Sequence, residues 1–215
     1  AISSKGIAIV RIGPNDIKDG NGTVLIDDRA AARDVTEHLI KLGHRRIGFV
    51  RGKEDQGSTH ERFKGYKDAL YAAGIDLNRT LVLPGLFDFE TGLAAGNAFL
   101  EMGTPPTAVF AGNDDMAAGV LVAAHRHGVN VPADFSIVGF DDSEIAEKMW
   151  PALTTIRQPL QALGARAMEL LIQIAGRTDV LADGMVETLA YEMVIRKSTG
   201  PNPNENATKQ AVQVV

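Results

Sequence analysis

The sequence contains no cysteine, no excess of positive charge and no long apolar run, and each absence excludes a class of protein. Without cysteine the chain holds no disulfide framework, no thiolate nucleophile and no Cys-type zinc site. Its 22 Lys and Arg against 27 Asp and Glu give a formal net charge of −5, so it lacks the basic face of a nucleic-acid-binding domain. No apolar stretch approaches the roughly 20 residues that a membrane-spanning helix needs, and we therefore expect no membrane contact.

The sequence also lacks the short motifs that carry catalysis. It has no G-x-S-x-G nucleophile elbow, no G-x-x-x-x-G-K-[ST] phosphate loop, no G-x-G-x-x-G and no H-E-x-x-H. We therefore expect no enzyme, no catalytic residue, no metal site and no cofactor. One enzymatic alternative is a Mg²⁺-dependent phosphatase, because the pairs Asp114-Asp115 and Asp141-Asp142 contain the oxygen ligands that Mg²⁺ prefers. No glycine-rich phosphate loop accompanies these pairs.

What the chain does contain is an alternation of short β-branched runs with longer helical patterns. Runs that are apolar on both faces, separated by single helices, indicate parallel βαβ units. The fold predicted is therefore α/β, with doubly wound parallel sheets. The predicted strands are Ile7–Ile12, Thr23–Ile26, Ile47–Val50, Thr80–Leu83, Ala108–Ala111 and Ser136–Phe140. The predicted helices are Ala30–Leu42, His60–Ala73, Glu90–Met102, Asp114–His127 and Leu160–Ala175, and Gly43, Gly74, Gly128 and Gly176 are predicted to end four of them.

The alternation breaks at Leu153–Pro159, an extended segment that leads directly into the last predicted helix. This segment fits either a core strand or a hinge strand that crosses between two lobes, and the spacing alone slightly favours the core strand. The segment from Gly200 to about Lys209 is rich in Pro, Asn and Thr, which predicts a disordered tail or a linker.

Polar and aromatic side chains follow four of the predicted strands. In an open parallel sheet, ligands bind beyond the carboxyl ends of the strands. A carboxylate accepts two vicinal hydroxyls, an amide donates and accepts, a guanidinium donates from a rigid fork, and an aromatic ring covers C–H surface. This set of side chains predicts a site that binds a polyhydroxylated ligand without transforming it. The residues are Ser58, Arg62, Phe87, Asn113 and Asp141.

Each of these residues also has a structural interpretation. Asn113 fits a helix N-cap and a ligand contact equally well, and capping is the favoured role for the two acidic residues that follow it and for Asp142. Arg62 is also explained by pairing with an acidic neighbour on its own helix, and Phe87 by burial in the core. Asp141 comes directly after an apolar run, and a purely structural role explains it least well.

A series of ordered motifs runs from about residue 7 to residue 199. They are HLIKLGHRRIGF at 38–49, RFKGY at 62–66, PTAVFAGNDDMA at 106–117, VPADFSIVGFDD at 131–142, PALTTIRQP at 151–159 and VIRKST at 194–199. These motifs resemble the signatures of the lactose/galactose repressor (LacI/GalR) family of transcriptional regulators. Each motif alone is weak, but the ordered set covers nearly the whole chain and is highly specific.

The resemblance implies a two-lobed, periplasmic-binding-protein-like (type I) effector domain whose N-terminal lobe is incomplete in this chain. On that basis Leu153–Pro159 is a crossover between lobes, contrary to the preference from spacing. The implied division assigns residues 1–22 to a remnant of the N-terminal lobe and 23–152 to the C-terminal lobe. It assigns 153–180 to the crossover and a helix of the N-terminal lobe, 181–199 to a return into the C-terminal lobe, and 200–215 to a flexible tail.

The resemblance also implies a function. A small-molecule effector, expected to be a sugar, binds between the lobes and shifts a cytoplasmic homodimer between operator-binding states. Operator DNA would be bound by a helix-turn-helix that this chain does not include. The alternative is a periplasmic sugar-binding protein of a transporter, which shares the fold. The helix Leu160–Ala175 is a candidate for the dimer interface, although ordinary core packing explains its pattern equally well. By motif, the family's effector contacts correspond to Ser58, Arg62, Phe87, Asn113 and Asp141, with Gln158 and Leu160 at the crossover.

Overall fold

Two parallel sheets and one short antiparallel pair contain the strands of the computed structural model, which describes residues 8–14, 22–175 and 185–204. The first sheet has three parallel strands in the order β1 (Val10–Ile12), β2 (Gly22–Ile26) and β8 (Val186–Leu189). The second sheet has four parallel strands in the order β4 (Val82–Leu83), β3 (Ile47–Val50), β5 (Ala108–Ala111) and β6 (Ser136–Val138). The antiparallel pair consists of β7 (Thr155–Arg157) and β9 (Glu192–Val194). The predicted α/β class with parallel sheets is confirmed.

Helices alternate with the strands of the second sheet, and their ends follow the local sequence. The helices are α1 (Asp28–Lys41), α2 (Gly57–Ala72), α3 (Phe89–Leu100), α4 (Asp114–Arg126), α5 (Glu144–Lys148) and α6 (Leu160–Ala175). Side chains cap three helices at the N-terminus, since Asp27, Asp88 and Asn113 each accept a hydrogen bond from a backbone N–H of the first turn. Gly43, Gly74 and Gly128 follow helix ends with positive φ, as predicted, whereas Gly176 lies outside the described residues.

The second sheet is apolar on both faces because helices cover both. Successive residues of β5 point into two different hydrophobic clusters. Phe110 packs with Phe49 and Tyr66, while Val109 packs with Phe99. Helices α1 and α2 lie against each other, as do α3 and α4. This arrangement fixes the carboxyl ends of β3 to β6 along one edge of the sheet.

The segment Leu153–Pro159 is both a buried strand and a crossing between sheets. The carbonyl oxygens of Thr154 and Ile156 accept hydrogen bonds from the N–H groups of Gly139 and Asp141, at 2.9 and 2.8 Å. The segment therefore runs beside the end of β6. It then leads into α6, which packs on β1 and β2 of the first sheet. The core strand and the crossing strand, which the sequence left open as alternatives, are therefore combined in this one segment.

The pairing of β2 differs from the division expected at residue 22. We expected Thr23–Ile26 in one lobe with the second sheet, and 181–199 to return to that lobe. Instead Thr23 lies opposite Val186, and the parallel pairing continues to Ile26 and Leu189 within the first sheet. Only the later part of 181–199 returns to the second sheet, where the carbonyl oxygen of Ser198 accepts a 2.8 Å hydrogen bond from the N–H of Ile137. Strand pairing depends on contacts distant in sequence, such as those of β2 with α6, and the local pattern carries no information about them.

Smaller differences occur at the ends of elements. Thr80–Leu83 begins as a short 3-10 turn because the side chain of Asn78 accepts hydrogen bonds from the backbone N–H and hydroxyl of Thr80. The strand predicted to end at Phe140 ends at Val138, and α5 was not predicted. Part of the predicted strand at residue 7, the segment 176–184 and residues 205–215 of the predicted tail lie outside the described residues. Residues 200–204 of that tail are held in place, contrary to the prediction, because the N–H and Nδ2 of Asn202 donate to the carbonyl oxygens of Leu42 and Gly43. None of the helices in the described ranges has the length and apolarity needed to span a bilayer.

Candidate functional site

Six of the seven predicted site residues line one open cleft of about 490 Å³. It lies at the carboxyl ends of β3 to β6, where a parallel sheet is expected to place a ligand. The lining side chains include donors, acceptors and one aromatic ring, as the sequence predicted. They are Lys53, Gln56, Ser58, Arg62, Leu86, Phe87, Asp88, Asn113, Asp141 and Gln158.

The seventh predicted residue, Leu160, lies in an adjoining cavity of about 560 Å³. Asp141 and Gln158 line both spaces. Leu160 is the first residue of α6 and is 63 % exposed. It therefore lies at the crossing segment, next to the cleft that holds the other six.

Arg62 is held rigidly before any ligand arrives. Its Nε donates to Oδ1 of Asp28 at 2.7 Å, and its Nη1 donates to the carbonyl oxygen of Gly112 at 2.6 Å. The guanidinium carbon lies 3.6 Å from the centre of the Phe140 ring, a cation–π contact. The third nitrogen, Nη2, lies 3.6 Å from Oδ1 of Asp141. The two hydrogen bonds and the ring contact thus fix the guanidinium, and its Nη2 lies beside Asp141 in the cleft.

Sequence reasoning missed Asp28, which holds Arg62, as well as the lining residues Lys53 and Gln56. The partner of Arg62 is this buried carboxylate on α1, and not an acidic neighbour on α2 as one interpretation proposed. Burial raises the pKa of Asp28, and the charge and hydrogen bond of Arg62 oppose that rise. The sequence gives one signal for Asp28: it is the second of two consecutive acidic residues, and only the first, Asp27, is needed as the N-cap of α1.

Asp141 has a backbone conformation that is uncommon for a residue with a side chain. Its φ is 111°, and Asp142 follows with a φ of 54°; strained backbone conformations such as that of Asp141 cluster at functional sites. Its carboxylate accepts a 2.6 Å hydrogen bond from Nε2 of Gln158. Burial raises the pKa of Asp141, and the charge of Arg62 and the bond from Gln158 offset only part of this effect. Asp141 therefore occupies the junction between the second sheet and the crossing segment.

Asn113 and Phe87 are fixed to each other. Oδ1 of Asn113 accepts from the N–H of Met116, so the capping interpretation holds, and its Nδ2 donates to the carbonyl oxygen of Phe87 at 3.1 Å. Phe87 has a φ of 61°, and its ring lies over Gly52, where a Cβ would be only 1.9 Å from Cζ. The absence of a side chain at Gly52 therefore makes room for the ring at the wall of the cleft.

Asp114 does not cap its helix, contrary to the favoured prediction. Its Oδ1 accepts a 2.6 Å bond from the hydroxyl of Thr155, and its Oδ2 accepts a 2.8 Å bond from the N–H of Ser143. Burial raises the pKa of Asp114 to about 6. The carboxylate lies against Gly139, where a Cβ would be 2.2 Å from Oδ1. Asp114 therefore ties α4 to the crossing segment behind the cleft.

The prediction of a cap is also wrong for Asp142. Its carboxylate forms ion pairs with Arg157 and Arg196, each at 2.6 Å. Burial alone would raise the pKa of Asp142, but hydrogen bonds from the two arginines outweigh it and lower the pKa. Within the described part of the chain, no three His, Asp or Glu side chains are grouped so as to hold a metal ion. The two acidic pairs considered for Mg²⁺ do not form such a group.

Comparison with known proteins gives a consistent result. The periplasmic binding protein-like domain family matches residues 36–199. The chain is 40% identical over 182 residues to the HTH-type transcriptional repressor CytR of Escherichia coli K12, which corresponds to 84% of this chain and 52% of that protein. The chain spans about half the length of the curated relatives it matches.

Two of the similar solved structures contain a sugar. The structure of a CelR–cellobiose complex has a TM-score of 0.82 at 34% identity, over 90% of this chain and 59% of that one. A LacI family regulator from Enterococcus faecium with bound ribose has a TM-score of 0.82 at 28% identity, over 93% of this chain and 73% of that one. The similarity therefore extends from sequence to fold, across nearly all of this chain.

Proposed function

This chain belongs to the family of periplasmic-binding-protein-like domains, in the form that LacI-family regulators carry, and from this premise we propose that it senses a sugar for a DNA-binding transcriptional repressor. The observation that carries the proposal is the convergence of Ser58, Arg62, Phe87, Asn113, Asp141 and Gln158 on one cleft.

The chemistry of the cleft suits a neutral polyhydroxylated ligand. Its charged lining residues are two cations, Lys53 and Arg62, and two carboxylates, Asp88 and Asp141. Arg62 is already paired with Asp28. Hydrogen bonds from Thr91 lower the pKa of Asp88, and the charge of Lys53 adds a smaller lowering. Since no net charge remains for an anion, a sugar fits better than a sugar phosphate.

Each contact has a defined role in this proposal. Asp141 accepts hydrogen bonds from a pair of hydroxyls, Arg62 donates to a sugar oxygen, and Phe87 covers an apolar face of the ring. CelR with cellobiose and the Enterococcus faecium regulator with ribose are relatives whose structures contain sugars. None of the relatives reported above is a transport protein, so the transporter alternative has no support among them.

The two sheets provide the moving parts of the proposed sensor. The first sheet with α6 is the part of one lobe present in this chain, and the second sheet with α1 to α5 is the other lobe. Gln158 and Leu160 lie on the segment that joins them. A sugar that binds the closed arrangement better than the open one shifts the equilibrium toward closure, by no more than its difference in affinity for the two.

The proposed assembly is a cytoplasmic homodimer that binds operator DNA through a helix-turn-helix outside this sequence. The inner face of α6 is buried through Leu163 and Leu170. The opposite face of the helix leaves Met168 and Ile172 more than half exposed. Apolar side chains left exposed together on one helix face fit an interface between subunits, and we assign this face of α6 to the dimer.

Thermal unfolding in a panel of compounds tests the proposed function. The panel contains cellobiose, ribose, galactose, glucose 6-phosphate and adenine. A neutral sugar present at 100 times its Kd stabilises the folded state by about 2.7 kcal/mol, which is a rise of roughly 5–10 °C in the midpoint for a chain of this size. Asp141→Ala should abolish the rise, whereas Asp76→Ala, which changes an exposed residue far from the cleft, should preserve it. Stabilisation by no neutral sugar would contradict the proposal.

A further inference from the structure

Arg157 joins the loop after β6 to two places where the chain passes between the sheets. It is the last residue of β7, from which the chain crosses to α6. Its Nε donates to Oδ2 of Asp142 at 2.6 Å, and its Nη1 donates to Oε2 of Glu192 at 2.9 Å. Glu192 opens β9, directly after the chain has left β8 in the first sheet, and it lies opposite Arg157 in the antiparallel register. One guanidinium therefore holds three segments together.

The residues next in sequence to Arg157 and Asp142 line the cleft. Asp142 follows Asp141, and Arg157 precedes Gln158. Asp141 and Gln158 are joined by a 2.6 Å hydrogen bond, and the backbone N–H of Asp141 donates to the carbonyl oxygen of Ile156 at 2.8 Å. The Arg157–Asp142 pair is thus a third link between the same two stretches of backbone.

This part of the backbone requires support from its surroundings. Asp141 and Asp142 both have positive φ, which for residues other than glycine persists only where neighbouring groups hold it. The opposite oxygen of Asp142 is paired with Arg196, which also donates to the carbonyl oxygen of Leu153. Removal of Arg157 would leave Asp142 paired with Arg196, so a variant of Arg157 should fold.

We propose that Arg157 is a positioning residue for the Asp141–Gln158 pair of the cleft, an inference that rests on the proposed role of that pair as ligand contacts. Arg157 holds the loop after β6 against the crossing segment, so that the Asp141 carboxylate is oriented before a ligand enters. Through Glu192 it also holds the point where the chain passes from β8 in the first sheet to β9. Arg157 lines the adjoining 560 Å³ cavity but not the 490 Å³ cleft, so its effect on the cleft is exerted through Asp141 and Gln158.

Hydrogen exchange of the Asp141 amide, measured by NMR without any sugar, tests this role. Arg157→Gln retains a polar side chain but removes both ion pairs. Partly exposed pairs are individually weak, so we expect the Asp141 amide to exchange about fivefold faster. The amide of Val109, in the buried strand β5, should be unchanged. Arg157→Lys, which keeps the charge but not the planar fork, should give an intermediate rate.

The matched control is Lys148→Gln, which removes an exposed ion pair with Glu144 within α5. This variant should leave the Asp141 amide unchanged. An unchanged Asp141 rate in Arg157→Gln would overturn the inference, and so would equal acceleration at Val109, which indicates a loss of global stability. Failure of every sugar in the thermal panel would remove the proposed function without altering this exchange result, so the two failures are distinguishable.

Discussion

Arg62 on α2 donates a 2.7 Å hydrogen bond to Asp28 on α1, and the two side chains are only 7% and 4% exposed. The pair joins two helices and at the same time fixes the guanidinium that meets the cleft. Removal of one partner from a buried ion pair leaves the other as an uncompensated charge, which is far more unfavourable than the loss of an exposed pair.

We therefore expect Arg62→Met to lower the free energy of unfolding by about 3–5 kcal/mol, measured by urea denaturation. The double variant Arg62→Met with Asp28→Leu should regain much of this loss because it removes the orphaned carboxylate. Arg29→Met is the matched control, since Arg29 forms a largely exposed pair with Asp68 and its loss should have an effect below about 1 kcal/mol. Equal effects of the two single variants would contradict the buried-pair account.

Asp114 should make stability depend on pH in an unusual direction. Burial raises its pKa from 3.8 to about 6 in the folded state, so the folded chain binds the proton more tightly than the unfolded chain. The contribution of Asp114 to stability is therefore present below about pH 4 and is lost as the pH rises to about 6, by an amount on the order of 2 kcal/mol. Urea unfolding at a series of pH values measures this.

Asp114→Asn should remove that part of the pH dependence, whatever its effect on absolute stability. Asp115→Asn changes the exposed neighbour in the same helical turn and should leave the pH dependence as in the wild type. Asp28 and Asp141, whose pKa values burial also raises, contribute a slope of the same sign. A slope between pH 4 and 6 that is the same in Asp114→Asn as in the wild type would therefore contradict the role of Asp114.

Gly52→Ala should impair the cleft while leaving the fold nearly intact. A Cβ at this position would lie 1.9 Å from Cζ of Phe87, so the ring must move away from its place in the wall. Because the displaced atoms are the tip of a flexible side chain, we expect a loss of only about 1 kcal/mol in stability. Thermal stabilisation by cellobiose or ribose should fall strongly. Gly103→Ala, which has no atom within 4 Å of the added carbon, should retain it.

Ile172→Asp should separate the proposed dimer into monomers. Ile172 is 66% exposed on α6, so the change should shift the stability of the single chain by no more than about 0.5 kcal/mol. A charge buried in an apolar interface, by contrast, opposes association. Sedimentation velocity measures the outcome. Tyr71→Asp, at a residue 88% exposed on α2, is the control that should remain dimeric, and a dimer that persists in Ile172→Asp would exclude this face.

Elements with a strong local pattern could be predicted from the sequence. The bounds of β3 and β5 and the first residue of α6 agree with the prediction, because apolar runs and helical spacing act within a single element. The convergence of five site residues followed from one topological rule about the carboxyl ends of parallel strands, and the sixth, Gln158, was implied by the family resemblance. The pairing of β2 with β8 could not be predicted, since it depends on residues about 160 positions apart.

Side-chain partners were the least predictable part of the site. Asp114 and Asp142 follow strand ends, where capping is the common role, but both carboxylates are drawn to the crossing segment by Thr155, Arg157 and Arg196. These partners become neighbours only after the segment has folded beside β6. In the same way Asp28 meets Arg62 only when α1 packs against α2. The sequence pattern of a single helix or strand does not predict such contacts between elements.

Mapping of sugar binding by NMR tests the central claim most directly. A sugar that stabilises the chain in the thermal panel is titrated while the backbone amides are followed. The account predicts that the largest shifts occur at Ser58, Asn113 and Asp141, which line the 490 Å³ cleft. A cavity of about 230 Å³ at the opposite end of β3, lined by Tyr66 and Leu70, provides the internal comparison. Shifts concentrated at that cavity, with none at the cleft, would contradict the account.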